Sequence, residues 1–219
     1  MCGFLFLTTV SSTSVNQAGP PDISVFVHNY IDMGHHTFDA TKASKLEDAA
    51  SRYRYVSRDE LLWALELASS ETVVDLGSGT GFYTDAVAPH VEHVYAVDIQ
   101  DQMHDVYREK GLPENVELVT SGVESLPFAD DHLEKAVSTM TYHEFASDEA
   151  LAELARVLEP GGRVVVADWS AEGTGDPGPP LTERFTATNA ATALQDAGFD
   201  IEFQATRPET FLVIGDNDE

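Results

Sequence analysis

Residues 72–82, which read T-V-V-D-L-G-S-G-T-G-F, constrain the fold more than any other part of this chain. A short β-branched run opens the segment, and glycines at 77, 79 and 81 follow before a helix-like pattern resumes. The pattern predicts a strand, a glycine turn and a helix. Glycine permits positive φ and close approach of a ligand, and the helix N-terminus offers free N–H groups. We therefore expect a ligand across the turn; the alternative is a tight strand–helix connection that binds nothing.

Apolar runs and helical patterns alternate along the rest of the chain, which is typical of an α/β fold with a largely parallel sheet. The predicted strands are 73–76, 93–98, 116–119, 135–139, 163–169, 199–205 and 210–214. The predicted helices are 37–54, 57–67, a segment ending at 88, 100–110, 148–158 and a segment ending at 197. A tight turn around Pro208 joins the last two strands, so the alternation ends in a hairpin.

The N-terminus differs in composition from the remainder of the 219 residues. Residues 1–32 contain no Lys or Arg, and Asp22 and Asp32 are their only acids. An apolar stretch near the start lacks the basic n-region and the cleavage site of a secretory signal. We predict a disordered extension at 1–32 and one domain at 33–219, with Met33 as a possible functional start. Cys2 is the sole cysteine, which excludes an intramolecular disulfide and a cysteine metal cluster.

The charge balance is strongly acidic, because 12 basic and 38 acidic residues give 12 − 38 = −26. At molar salt the Debye length is about 3 Å, so such a surface is tolerable there. We interpret it as adaptation to a salt-rich cytoplasm, an idea that full folding and activity at low ionic strength would contradict. A surface for a basic partner would more often concentrate its acids in one block. No basic stripe meets phosphates, so a nucleic-acid partner is disfavoured, and no apolar run approaches a membrane span.

Asp98 ends the second predicted strand, 23 residues after Asp75. In a nucleotide-binding unit, an acid at about this distance accepts hydrogen bonds from the ribose diol. The alternative is a helix N-cap for residues 100–110, and the two roles are compatible.

The glycine spacing separates two ligand classes. A dinucleotide fold has G-x-G-x-x-G, whereas this chain has G-x-G-x-G with Phe82 at the sixth position. Asp75, two residues ahead of the first glycine, would repel a pyrophosphate, which argues against a nicotinamide-dependent dehydrogenase. It would attract the ammonium of an amino-acid-bearing nucleoside such as S-adenosylmethionine (SAM), which carries no phosphate.

Four ordered motifs together resemble class I SAM-dependent methyltransferases, especially the subgroup that includes quinone-biosynthesis C-methyltransferases. They are D-L-G-S-G-T-G-F, A-V-D ending at Asp98, E-S-L-P-F-A-D and R-V-L-E-P-G-G-R-V-V-V-A-D-W. The resemblance extends from about Phe38 to the C-terminus. It implies a Rossmann-like three-layer sandwich with a seven-stranded, mostly parallel sheet and an antiparallel last strand.

The resemblance also implies SAM as cofactor and a set of residues that hold it. The methionine end would be held by Asp75, Gly77, Gly79 and Gly81. The ribose would be held by Asp98, and the adenine by Ile99, Gly122, Val123 and Glu124. Many relatives have Asp where Gly122 stands, which leaves open whether Glu124 replaces it. Glu134 similarly stands where relatives have Asp.

The acceptor side has weaker signals, all at strand ends or in the N-terminal helical region. His143 follows the fourth strand and is our candidate for a base or a group that positions the acceptor, with a purely structural role as the alternative. Asp168 and Trp169 are candidates for the pocket wall. Tyr53 and Tyr55 are candidates for a lid over the ligand, or for simple packing.

The sequence thus predicts a methyltransferase that acts on a small-molecule acceptor whose identity the residues do not give. A non-catalytic SAM-binding regulator or accessory subunit is the alternative, and formation of S-adenosylhomocysteine separates the two. His35 and His36 are adjacent but lack further ligands at metal spacing, so we predict no metal site. The sequence does not indicate an oligomeric state.

Overall fold

Within residues 38–218, which are the residues that the computed structural model describes, seven strands form one sheet. They are β1 (Thr72–Leu76), β2 (His93–Asp98), β3 (Val116–Thr120), β4 (Leu133–Thr139), β5 (Leu158–Trp169), β6 (Phe199–Thr206) and β7 (Thr210–Asn217). The order is β3-β2-β1-β4-β5-β7-β6. Strands β1 to β5 pair in parallel, whereas β7 pairs antiparallel with both β5 and β6. The predicted seven-stranded sheet with an antiparallel last strand is confirmed.

Seven α-helices accompany these strands in the described part of the chain, two of them before β1. They are α1 (Ala49–Arg52), α2 (Arg58–Leu65), α3 (Thr84–Val87), α4 (Asp101–Lys110), α5 (Tyr142–Phe145), α6 (Asp148–Val157) and α7 (Ala187–Asp196). Four 3-10 segments accompany them, at Ala40–Glu47, Ala88–His90, Val123–Ser125 and Leu181–Glu183. No helix within 38–218 is long and apolar enough to cross a bilayer.

Two apolar cores lie on opposite faces of the sheet because successive strand side chains point in opposite directions. Val74 on β1 joins one core, which also takes Leu151 from α6 and Leu194 from α7. Val73 joins the other, which includes Leu61 from α2. Strands buried on both faces explain the continuous apolar runs of the sequence. This is the three-layer arrangement that the sequence predicts.

Three predicted elements differ from the observed ones. The single helix predicted at 37–54 is divided into a 3-10 helix and α1, and Asp48 caps the N-terminus of the second. The helix after the glycine turn has only four residues before a 3-10 turn, where Pro89 cannot donate an N–H. The turn predicted at 159–162 lies inside β5 as a bulge: Leu133 pairs with Leu158, but Lys135 pairs with Arg163.

The strand order reverses between β1 and β4, which lie side by side. Open α/β sheets bind ligands at such a reversal, beyond the carboxyl ends of the strands. The site predicted from the glycine turn is therefore at the expected place in the topology. The proposed extension at 1–32, together with Cys2, His35 and His36, lies outside the described residues and stays a prediction.

Candidate functional site

A cleft of about 930 Å³, including its open mouth, lies at the carboxyl ends of β1, β2, β3 and β4. Seven of the nine residues predicted to hold a cofactor line it: Gly77, Gly79, Asp98, Ile99, Gly122, Val123 and Glu124. The other lining residues are Phe38, Leu46, Arg52, Ser78, Thr80, Phe82, Val97, Gln100, Met103, Ser121, Thr139, Met140, Thr141, Glu144 and Phe145. The volume is in the range of small-molecule sites.

The glycine turn has a backbone that other residues do not readily adopt. The φ angles of Gly77 and Gly81 are 72° and 76°, in the left-handed region. A Cβ on Gly77 would lie 2.2 Å from Thr141 Cγ2, and one on Gly81 would lie 2.1 Å from the Tyr107 ring. The glycines therefore allow the turn, the end of β4 and helix α4 to approach closely, and they leave bare backbone facing the cleft.

Asp75 lies beneath the turn and is buried, with 2% of its surface exposed. One carboxylate oxygen accepts a hydrogen bond of 2.6 Å from Thr84 Oγ1, and Oδ1 is buried without a partner among residues 38–218. Burial raises the pKa of Asp75 to about 6, although the Thr84 hydrogen bond and the charge of Arg52 act in the opposite direction. Asp75 and Gly81 support the floor of the cleft and do not line it.

Asp98 is held rigidly at the end of β2. Its Oδ2 accepts a hydrogen bond of 2.9 Å from the Gly79 N–H, and its Oδ1 accepts one of 2.8 Å from the Gln100 N–H. A carboxylate has about four acceptor sites, so the two oxygens can still accept from a ligand diol. Ile99, which follows, is 51% exposed and presents an apolar surface to the cleft. The N-cap alternative differs in detail, since Gln100 occupies the cap position and Asp98 accepts from its N–H.

Glu124 folds back over Gly122. A Cβ on Gly122 would lie 2.4 Å from Glu124 Oε1, so the carboxylate fills the space that a side chain at 122 would take. Both residues line the cleft with Val123. The missing side chain at 122 is thus spatially compensated by the one at 124.

Residues 38–56, which we term the strap, border the cleft. The Phe38 carbonyl accepts a hydrogen bond of 3.1 Å from Gln100 Nε2, and Glu47 accepts one from the Thr80 hydroxyl. The Tyr83 hydroxyl lies 3.1 Å from the carbonyl of Arg52. These contacts attach the strap to the glycine turn and to the end of β2.

Tyr53 and Tyr55, the predicted lid residues, pack at different places. The ring centroid of Tyr53 lies 5.0 Å from that of Phe82 in the glycine turn, and that of Tyr55 lies 4.8 Å from that of Trp169 at the end of β5. The strap therefore extends from the glycine turn to the predicted pocket wall.

His143 is paired with Asp168, which is fully buried. Asp168 accepts hydrogen bonds from the His143 backbone N–H (2.7 Å) and from the Trp169 N–H (2.7 Å), and its Oδ2 lies 2.9 Å from His143 Nδ1. Since an ionised carboxylate only accepts, this network assigns the proton to Nδ1 and the lone pair to Nε2. Burial lowers the pKa of His143, but the charge and hydrogen bond of Asp168 outweigh it, so the net shift is upward.

The His143 side chain is 9% exposed, and its neighbours Thr141, Glu144 and Phe145 line the cleft. Met140, at the end of β4, has a φ of 63°, which is rare for a residue with a long side chain. Its N–H donates to the Ala167 carbonyl at 2.8 Å. Such strain concentrates at functional sites.

Sequence reasoning missed Arg52, Met140 and Thr141. Arg52 lies within a helical pattern that carries no signal of a cleft. Thr141 follows a strand, as His143 does, but only the contact with Gly77 reveals its place. No group of three or more His, Cys, Asp or Glu side chains suited to a metal ion occurs among the described residues.

Comparisons with known proteins point in the same direction as the geometry. A family model described as "Methyltransferase domain" matches residues 74–166. A SAM-dependent methyltransferase from Aquifex aeolicus with a known crystal structure is 30% identical, with a TM-score of 0.73. That match covers 83% of this chain and 100% of the Aquifex chain.

The curated relatives match over shorter lengths. An uncharacterized methyltransferase-like protein from Schizosaccharomyces pombe is 30% identical over 57% of this chain and 48% of its own length. A ubiquinone/menaquinone biosynthesis C-methyltransferase from Vibrio campbellii is 36% identical over 46% of this chain and 42% of its own. The chain spans about half the length of the curated relatives it matches.

Proposed function

The chain belongs to the class I SAM-dependent methyltransferases, and from this premise we propose that it transfers the methyl group of SAM to a small-molecule acceptor. One observation carries the proposal: bare glycine backbone, the Asp98 carboxylate and the exposed Ile99 line a single cleft at the strand-order reversal. A nucleoside with an amino-acid tail and no phosphate fits these features. Its tail would lie on the glycine backbone, its ribose would bind Asp98 and its base would pack on Ile99.

The chain's own residues fit this methyl donor. Asp98 keeps acceptor capacity for the ribose hydroxyls, and Ile99 and Val123 offer apolar surface to the adenine. The floor of the cleft holds a buried, unpartnered carboxylate oxygen on Asp75, and an unpartnered oxygen is costly unless a donor or a positive charge compensates it. The acidic floor would disfavour a pyrophosphate, so the donor site is poorly suited to NAD.

Bound SAM supplies an electrophilic methyl group on a sulfonium. The protein's contribution is to hold the acceptor within about 3 to 3.5 Å of that methyl and in line with the bond that breaks. Met140, Thr141 and Phe145 border the cleft beyond the glycine turn and are the proposed walls for the acceptor. The role in ubiquinone and menaquinone biosynthesis that the name of the Vibrio relative gives is not assigned to this chain, because the match covers less than half of either protein.

His143 is the proposed base for an acceptor that must lose a proton. Asp168 fixes the ring through Nδ1 and stabilises its protonated form, which leaves Nε2 as the proton-accepting atom. The same arrangement orients a hydrogen-bonding acceptor when no proton is removed. Trp169 and Tyr55 pack beside this pair and are the proposed distal wall of the site.

The test is methyl-label transfer from SAM into an extract of the native cell at multimolar KCl, with S-adenosylhomocysteine measured in parallel. Labelled product together with S-adenosylhomocysteine supports the proposal and identifies the acceptor. Tight SAM binding without either product would favour a non-catalytic SAM-binding subunit. Binding of NAD in place of SAM would contradict the proposal altogether.

A further inference from the structure

The segment 170–184, which we term the β5–α7 loop, is closed by a single buried arginine. The loop is rich in glycine and proline, a composition typical of an irregular connection. Arg184, at its end, donates hydrogen bonds to the carbonyls of Pro179 (2.8 Å), Ser170 (3.4 Å) and Pro177. One guanidinium therefore ties the start, the middle and the end of the loop together.

The charge of Arg184 is unfavourably placed for stability alone. Its residue surface is 5% exposed, and the hydrogen bonds that it makes to described residues go to carbonyls and not to a carboxylate. Burial lowers the pKa of Arg184, although the charges of Glu209 and Asp168 act in the opposite direction. A buried charge without an ionic partner costs free energy, and perturbed ionisable groups of this kind concentrate at functional sites.

The same guanidinium contacts Trp169, the last residue of β5. The Arg184 Cζ lies 5.4 Å from the centroid of the Trp169 ring. The loop backbone also reaches the ring, since Gly178 has a φ of 83° and a Cβ there would lie 2.5 Å from Trp169 Cδ2. The Tyr55 ring packs against the indole with 4.8 Å between centroids. The indole is thus enclosed by the arginine, the loop and the strap.

Trp169 connects this loop to the proposed base. The Trp169 N–H donates to Asp168 Oδ1 (2.7 Å), and Asp168 Oδ2 lies 2.9 Å from His143 Nδ1. Burial lowers the pKa of His143, but the charges of Asp168, Glu144 and Glu183 together outweigh it. Because Glu183 lies near the end of the loop, the loop is within electrostatic range of the base. A displacement of the loop would therefore affect the base and the wall beside it.

We infer that Arg184 is a positioning residue for methyl transfer. This inference rests on the proposed function. Arg184 holds the β5–α7 loop against Trp169, and Trp169 in turn keeps the distal wall closed and Asp168 aligned with His143. Arg184 does not line the cleft, so its effect on the reaction passes through Trp169. The donor half contains no residue of this loop and stays unaffected.

The first test compares methyl transfer with donor binding. Label transfer from SAM into an extract of the native cell at multimolar KCl gives the rate, and calorimetry with S-adenosylhomocysteine gives donor affinity. Arg184→Gln should lower the rate about 10- to 100-fold, the effect of a small misplacement of reacting groups, and leave donor affinity within about twofold. Arg184→Lys, which keeps the charge and loses the planar fork, should be intermediate. Arg108→Gln removes an equal charge from an exposed side chain on α4 and should change neither quantity.

A double-mutant cycle tests the route through Trp169. Trp169→Leu removes the ring on which the guanidinium and the loop pack, so Arg184→Gln should have little further effect on the rate in that background. Gly178→Ala tests the same contact without changing the arginine, because its Cβ would push the loop off the ring. It should lower the rate with donor affinity unchanged. Gly161→Ala is its control, since a φ of 80° gives similar backbone strain with no atom within 4 Å of the Cβ.

The His143 ring gives a readout that needs no acceptor. Above its pKa, wild-type His143 should carry its proton on Nδ1, which faces Asp168, and nitrogen NMR shifts distinguish this tautomer from the other. In Arg184→Gln the Nδ1–H form should lose population, because Asp168 is held less firmly, and Arg184→Lys should restore part of it. A purely structural role of Arg184 would leave the tautomer unchanged.

An unchanged rate in Arg184→Gln would overturn the inference. An equal loss of rate and of donor affinity would also overturn it, as would fully additive effects in the cycle with Trp169→Leu. Should Arg184→Gln not fold, Gly178→Ala decides: a rate equal to that of Gly161→Ala contradicts the inference. If wild-type protein labels no product, the proposed function fails, and the His143 tautomer in the Arg184 variants then decides whether Arg184 positions the base.

Discussion

The donor and acceptor halves of the cleft are built in different ways. The proposed donor contacts come from three short segments that each follow a strand, at 77–79, 98–99 and 122–124, and much of what they offer is backbone. The proposed acceptor contacts are side chains from distant parts of the chain, including Tyr55, Phe145 and Trp169. The donor half can therefore be recognised from short sequence motifs, because its contacts lie in segments that follow strands. The acceptor half cannot, because its side chains are far apart in the sequence.

The largest predicted effect is that of a substitution at Gly77, where the donor and acceptor halves of the cleft meet. In Gly77→Ala the new Cβ would lie 2.2 Å from Thr141 Cγ2, and a positive φ costs an L-residue about 1 to 2 kcal/mol. We expect donor affinity to fall by more than about 100-fold, because the turn must move to relieve the clash. Calorimetric titration with S-adenosylhomocysteine and denaturant unfolding would measure both effects.

Gly111→Ala is the matched control, since Gly111 has a φ of 97° but no atom within 4 Å of its would-be Cβ. It carries the backbone strain without the clash, so it should lower stability and leave donor affinity unchanged. Equal loss of donor affinity in both variants would show that the close contact between Gly77 and Thr141 does not matter for binding.

The fold and the donor half could largely be predicted, because strands and the turns that follow them are marked by local sequence patterns. Val73 and Val74 mark a strand buried on both faces, and the glycines that follow mark a bare turn. The break in the helix predicted at 37–54 was not predicted, because the helical spacing of the residues does not show that the Asp48 side chain accepts from the Ser51 N–H and begins a new helix there.

The acceptor half could be predicted only as strand-end candidates. His143 follows β4 and Asp168 lies at the end of β5, but nothing in the sequence says that they pair, because only the sheet brings β4 and β5 together. Arg52 was missed for the same reason. Its position depends on the rings of Phe82 and Tyr83, which a pattern of helical spacing does not contain.

The second-largest predicted effect is that of a substitution at His143, which should impair the acceptor half and leave the donor half unchanged. His143→Gln removes the proposed base while donor contacts stay in place, so kcat should fall about 100-fold or more with donor affinity unchanged. Wild-type kcat should rise with pH through the raised pKa of His143, and that limb should vanish in the variant. His132→Gln, an exposed histidine, is the control. A parallel loss of donor affinity would assign His143 a structural role.

The third prediction concerns the floor beneath the donor half. A pKa raised from 3.8 to about 6 means that the folded state binds the Asp75 proton more tightly than the unfolded state. The stabilising contribution is complete below pH 3.8 and is lost as the pH rises to about 6. Above that, the buried charge costs on the order of 2.2 × 1.36, or about 3 kcal/mol.

Asp75→Asn should therefore stabilise the ligand-free protein by about 2 to 3 kcal/mol at pH 7.5, and by less at pH 5, while it weakens donor binding. Urea unfolding at both pH values measures the first effect and calorimetry the second. Asp85→Asn is a neighbouring control that should not stabilise, since Asp85 accepts from the Tyr107 hydroxyl (2.6 Å) and pairs with Lys110 (2.9 Å). A destabilised Asp75→Asn would mean that the carboxylate is retained for the fold and not for the ligand.

The smallest predicted effect tests whether the carboxylate of Glu124 can be moved to position 122 without loss of donor binding. The Glu124 carboxylate occupies the space over Gly122, so Glu124→Ala should weaken S-adenosylhomocysteine binding about 3- to 10-fold, the scale of one hydrogen bond. Adding Gly122→Asp to that variant should restore most of the affinity, because the clash predicted for a side chain at 122 is with Glu124 itself. Glu114→Ala, which removes an exposed acid from the loop before β3, should change nothing. If the double variant binds no better than Glu124→Ala, restoring the charge is not sufficient, and the carboxylate must stand at position 124.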